Sequence, residues 1–203
     1  MENNPFSPTS GAGSAPDLIP NGTLSWAILS VQSKRNSKES NGEYYSVELT
    51  LIGGEHEGRK VFDIIPNIYD QNNSEKWRTS GIGAITRIFE SSGWFKPSEP
   101  ASYNAFAGKP FEAIMQGMDG QPVAIKVKVE KSKDPAYADK NKVGEWLSPN
   151  PASRSGYGDY QKLIGGQQAV QQARVQAFAP AQPQAPAAGA PNWIKSPNTN
   201  APF

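Results

Sequence analysis

Cations and flat side chains recur along this chain at spacings that suit one kind of chemistry. Lys34, Arg35 and Lys38 cluster in the polar stretch SKRNSKESNG (33–42), with Tyr44 close behind. Arg59 and Lys60 precede Phe62, and QPVAIKVKVEKSK (121–133) carries Lys126, Lys128, Lys131 and Lys133. An unpaired nucleic-acid strand needs this pairing of residue types, cations along its phosphates and aromatic faces under its unstacked bases. Each member also has an ordinary role. Outward lysines guard exposed strands against aggregation, and loop cations are commonly just solvated. The case for binding is their joint placement on one surface.

Catalytic arrangements are thin. His56 is the only histidine and lies in an acidic turn between Glu55 and Glu57, so a Ser-His-Asp triad has nothing to build on. Gly53 and Gly58 have the spacing of a phosphate-binding loop, but Arg59-Lys60 stands where Lys-Ser/Thr is required, and a strand follows where a helix should. GIGAIT (81–86) lacks the third glycine of a dinucleotide loop. There is no cysteine, no calcium-loop pattern and no cofactor motif. The chain reads as a non-enzyme with neither metal nor cofactor.

The elements that must position these residues follow from periodicity. Residues 22–32 read as a first strand apolar on both faces, with Trp26 assigned to the core and 33–42 to a loop closed by Asn41-Gly42. EYYSVELTLI (43–52) alternates, with Tyr45, Val47, Leu49 and Leu51 inward and Tyr44 outward. RKVFDIIPNIY (59–69) is a third strand ended or bulged by Pro66. Trp77, Ile82, Ile85, Ile88 and Phe89 form a helical stripe, with Ser74 as N-cap and Gly93 just past the end. Gly81 and Gly83 within it imply close packing. PFEAIMQG (110–117) and 121–133 are taken as strands four and five, which puts Lys126 and Lys128 on strand five. The sum is an all-β domain with one helix, in the order three strands, helix, two strands. That is the order of a five-stranded OB-fold barrel with its helix between strands three and four; a small α+β sheet is the rival.

Composition sets the boundaries. The chain has 203 residues and a net charge of +1. Residues 1–20 and 150–203 are dominated by small, polar and proline residues, which cannot bury enough apolar surface to order themselves. The expectation is therefore a flexible arm (1–20), one domain (21–149) and a disordered Ala/Gln/Pro-rich tail (150–203). The tail holds Arg154, Lys162, Arg174 and Lys195 against Asp159 alone, so the domain before it is slightly acidic. Net charge gives a nucleic-acid partner no support; only its distribution could. With no export signal or long apolar run, the cytoplasm is the expected location.

The stretch EYYSVELTLIGGEHEGRKVFDIIPNIY, with NAFAGKPFEAIM and AYADKNKVGEWLSP, resembles small phage-encoded single-stranded-DNA-binding proteins with an OB fold. The resemblance spans about residues 21–149. It rests on Gly58-Arg59 with Phe62, on Gly108-Lys109, and on Asn141 ahead of EWLSP. It implies sequence-independent binding of single-stranded DNA in phage replication, recombination or repair, in the host-cell cytoplasm. The site it and the barrel imply comprises the second and third strands, with the loops joining strands one to two and four to five. Bacterial single-stranded-DNA-binding proteins also end in an acidic stretch and Pro-Phe that recruits partner enzymes. Pro202 and Phe203 match the tip without the acids, and Trp193 offers an apolar contact nearby. The leading alternative is an OB-like protein-interaction module of a replication or virion assembly that does not touch DNA.

Overall fold

The computed structural model describes residues 17–134 and 136–177, with side chains through 166. Five strands, β1 (Leu24–Asn36), β2 (Glu43–Ile52), β3 (Lys60–Pro66), β4 (Pro122–Glu130) and β5 (Lys140–Trp146), form a closed barrel in the order β1-β2-β3-β5-β4. All neighbours are antiparallel except β3 and β5, which run parallel and share a single registered pair, Phe62 with Lys142. Between β3 and β4 come helix α1 (Glu75–Ser91), a 3₁₀ segment (Pro100–Phe106) and helix α2 (Phe111–Met118); helix α3 (Ser155–Ala177) follows β5. Such a barrel is compatible with an OB-like fold. The chain divides after Gly166, and the barrel and its packing belong to the part before it.

The alternation in β2 does what its sequence requires. Val47, Leu49 and Leu51 are fully buried, facing Ala27 and Leu29 of β1 and Val61 and Ile65 of β3. Ser74 caps α1 by accepting the Trp77 amide at 3.3 Å, and Gly93 adopts φ +83° just beyond the end. Ile85, Ile88 and Phe89 of α1 join Phe111, Ile114, Met115 and Met118 of α2 in the barrel's core. Phe106 stacks on Phe89 with centroids 4.4 Å apart. Gly81 packs as its place in the stripe implies, since an added Cβ would lie 2.9 Å from the Pro66 ring. Gly83 does not, having open space around it.

Several expectations are overturned. Residues 111–118 are helical, not a fourth strand: Phe111, Ile114, Met115 and Met118 recur at i, i+3, i+4 and i+7, a helix period too short to separate from strand by composition. The segment carrying Lys126 and Lys128 is therefore β4, and β5 is KNKVGEW (140–146), which sequence periodicity missed. The buried residues of β5, Val143 and Trp146, stand three apart because a register shift inserts Gly144 opposite the Lys126/Val127 step. β1 extends to Asn36, so Lys34 and Arg35 lie in a strand and only Lys38 lies in the loop. Trp26 is half-buried on the outer face, its ring edge-on to Tyr160 of α3 at 5.9 Å.

The two boundaries also move. Ile19, placed in the flexible arm, is fully buried, and the Asn141 amide grips its backbone from both sides: Oδ1 accepts from Ile19 N at 2.9 Å and Nδ2 donates to Ile19 O at 2.8 Å. Residues 155–166, assigned to a disordered tail, form the start of α3 and pack on the barrel through Tyr160 and Asp159. The rest of the arm (1–16) and of the tail (178–203), with Trp193, Pro202 and Phe203, lies outside the described residues.

Candidate nucleic-acid interface

A bulge in β1 decides which of two adjacent cations faces outward. Val31 pairs with Val47 but Lys34 pairs with Tyr45, so one extra residue on β1 inverts the facing beyond it. Lys34 consequently stands beside the core-packed Tyr45 and reaches α2. Its Nζ lies 3.0 Å from Glu43 and 3.1 Å from Glu112, and these contacts, Glu43 first, raise its pKa. Arg35 pairs with Tyr44 on the outer side, where its Nε donates to Ser33 Oγ at 3.0 Å.

The outer side holds a groove of about 630 Å³ across β1, β2, β3 and β5. Phe62 and Ile64 form its apolar part, 54% and 41% exposed although they are large hydrophobic residues. Arg35, Lys140 and Lys142 supply its positive charge, and among the described residues Asp63 is its one acid. Phe62 is thus an outward platform and not a core residue. Burial pushes the Asp63 carboxyl up to about 6, against the opposing pull of the Ile64 amide, Lys142 and Lys128.

Two further depressions adjoin this groove through shared residues. One, about 680 Å³ and between α1 and the β3–β5 seam, shares Asp63 and Ile64 and adds Lys76, Trp77, Arg87 and Trp146. The other, about 580 Å³ in the β4–β5 loop, shares Lys140 and adds Lys131, Lys133 and the exposed Tyr137. A continuous track therefore runs from the β4–β5 loop across β3 to the side of α1.

The predicted cations divide on this track. Lys133 lies on it; Lys131 does too, though it also contacts Asp139 at 3.3 Å. Lys128 stands on the outer face of β4 opposite Lys142. Lys60 sits on the Phe62 face of β3 and pairs with Glu48 at 2.8 Å. Arg59 is half-buried just before β3, and Lys38 is exposed in the β1–β2 loop. Lys126 is engaged by α3 and does not line the groove: Asp159 Oδ2 lies 2.8 Å from its Nζ, and that contact raises its pKa. Tyr44 is half-buried against Trp77, centroids 6.0 Å apart, so it supports the groove wall instead of standing free.

The sequence reading missed Lys140 and Lys142, because it did not see β5, and Ile64, Lys76 and Arg87. The signal for α1 was present: Lys76, Ser80, Gly83, Ala84 and Arg87 share one face at helical spacing. Lys140 and Lys142 are partly neutralised by Glu130, at 3.3 and 3.0 Å, so the surface is only moderately positive. Among the described residues no helix is long and apolar enough to cross a membrane, and no three acidic or histidine side chains converge as metal ligands would. The chain matches no protein-family model, and no curated protein matches it.

Proposed function

We propose that the chain is an OB-fold protein that binds single-stranded DNA without catalysis or cofactor. In this reading it coats or organises unpaired strands during replication, recombination or repair in the cytoplasm. The observation that carries the reading is the central groove, where exposed Phe62 and Ile64 lie beside Arg35, Lys140 and Lys142. Bases stack on the first pair while phosphates pass the cations. The moderate charge fits a binder that relies on stacking as much as on phosphate contacts.

Trp77 and Trp146 line the adjoining groove, so tryptophan fluorescence reports occupancy directly. Titration with oligo-dT should quench it, with a log–log salt slope of about −0.7 per phosphate contacted, and duplex of equal length should bind far more weakly. Phe62→Ala should weaken binding by about 1–3 kcal/mol, the usual effect of losing a stacking ring. Lys142→Ala should lower both affinity and salt slope. Oligo-dT binding that ignores both substitutions would remove the central groove from the site. A chain that ignores oligonucleotides but captures a replication or virion protein through Phe62 and Ile64 would be the interaction module instead.

A further inference from the structure

The track from the central groove to the β4–β5 loop passes Lys140, which lines both depressions, and an acid stands on that cation. Glu130 of β4 bridges two lysines of β5, one carboxylate oxygen to each. Its Oε2 lies 3.3 Å from Lys140 Nζ and its Oε1 3.0 Å from Lys142 Nζ. Lys142 foremost, and then Lys140 against partial burial, hold the Glu130 carboxyl below the usual range. Lys128 stands directly opposite Lys142 on the same face of the β4–β5 ladder, and like charges so placed cost stability. That rung continues to Phe62, the registered partner of Lys142 on β3. Three lysines thus gather beside the exposed Phe62 ring with one acid among them.

A phosphodiester resembles a carboxylate in presenting two anionic oxygens on one atom, and ammonium groups make charge-assisted hydrogen bonds to either. Neighbouring strands lie about 4.8 Å apart, so a nucleotide with its base on Phe62 brings its phosphate within reach of β5. The Glu130 side chain is 36% exposed and has water to swing into when it leaves. We infer that Glu130 holds the place of a DNA phosphate in the unbound protein. A strand whose base sits on Phe62 displaces the carboxylate and sets the two non-bridging oxygens of a phosphate on Lys140 and Lys142. Glu130 is then a built-in competitor: it neutralises the lysines while the site is empty and limits how tightly a strand is held. This rests on the single-stranded-DNA reading and gives that site a phosphate position and a brake.

The test uses the full chain and oligo-dT, with affinity read by tryptophan quenching at about 50 and 200 mM salt. Glu130→Gln keeps the side chain's shape and removes its charge. It should bind roughly three- to tenfold more tightly than wild type at the lower salt, the scale of releasing two partly exposed ion pairs. The gain should shrink at the higher salt, where such charges are screened. Glu99→Gln makes the same charge change in the exposed Lys96 pair, which lines none of the three depressions, and should bind as wild type does. Lys142→Ala should cost more affinity in the Glu130→Gln background than in wild type, because there the lysine has no carboxylate to leave. Glu130→Gln binding no tighter than wild type, or an equal cost of Lys142→Ala in both backgrounds, overturns the inference and leaves single-strand binding standing. Failure of the wild-type chain to bind oligo-dT overturns the function itself, and the inference with it.

Discussion

Asp63 carries its charge against its surroundings, and that has a consequence for stability. Burial lifts its carboxyl from 3.8 to about 6. Below about 3.8 the folded and unfolded chains are both protonated there. Between 3.8 and about 6 the folded chain holds a proton that the unfolded chain has released, so stability from this group falls as pH rises through the window. Above about 6 the loss is complete, and it amounts to at most about 3 kcal/mol, since each tenfold gain in proton affinity is worth about 1.4 kcal/mol. Asp63→Asn should therefore raise the thermal midpoint by several degrees at pH 7.5 and leave it nearly unchanged near pH 3.5, measured by calorimetry. Equal midpoints at pH 7.5 would mean that water reaches the carboxylate freely. Glu90 shows the opposite arrangement: it is buried but served by donors, Tyr103 Oη at 2.6 Å, Asn150 Nδ2 at 2.7 Å and the Ser148 hydroxyl. Burial and that carboxylate together push the Tyr103 phenol up to about 12. Tyr103→Phe removes one donor and should lower stability by about 1–3 kcal/mol in denaturant unfolding.

Helix α2 is held by a glycine. A Cβ on Gly117 would lie 2.6 Å from Cζ of Phe106, whose ring stacks on Phe89 in the core. Gly117→Ala gains intrinsic helix propensity, about 1 kcal/mol, but must displace an aromatic ring, and overpacking of that kind costs about 1–3 kcal/mol. The substitution should be net destabilising, and an unchanged denaturation midpoint would show that Phe106 moves freely. The two elements that differ most from their sequence readings fail for related reasons. In α2 the stripe is only eight residues long, the length of a strand as well as of a short helix. In β5 the bulge at Gly144 breaks the two-residue alternation by which strands are recognised, and its pairing partners lie in β3 and β4. β2, with no bulge and one buried face, was legible to the residue.

The barrel is finished by segments that composition marks as tails. Ile19 is buried beneath the Asn141 amide, and the start of α3 covers Trp26 with Tyr160 and binds Lys126 through Asp159. Asp159 also accepts Lys162 Nζ at 2.7 Å, and Lys126 and Lys162, in that order, hold its carboxyl below the usual range. A chain ending at Pro149 should melt several degrees below one ending at Gly166, and its tryptophan emission should shift to the red as Trp26 meets water. Coincident melting curves would mean that α3 adds no stability to the barrel.

The sequence by itself determined the three opening strands, the capped helix α1, the alternation that buries one face of β2, and a set of cations and rings suited to an unpaired strand. These are local properties, set by side-chain period, caps and turn residues within a few positions of one another. Tertiary structure alone decided which of those cations meet. The β1 bulge sends Lys34 to Glu43 and Glu112 and leaves Arg35 outside; α3 pairs Lys126 with Asp159; and barrel closure brings Lys140 and Lys142 beside Phe62, about eighty residues away in sequence. Which face a side chain occupies in a barrel depends on register summed across bulges, and on which later segment covers it. Neither is written in the residues nearest to it.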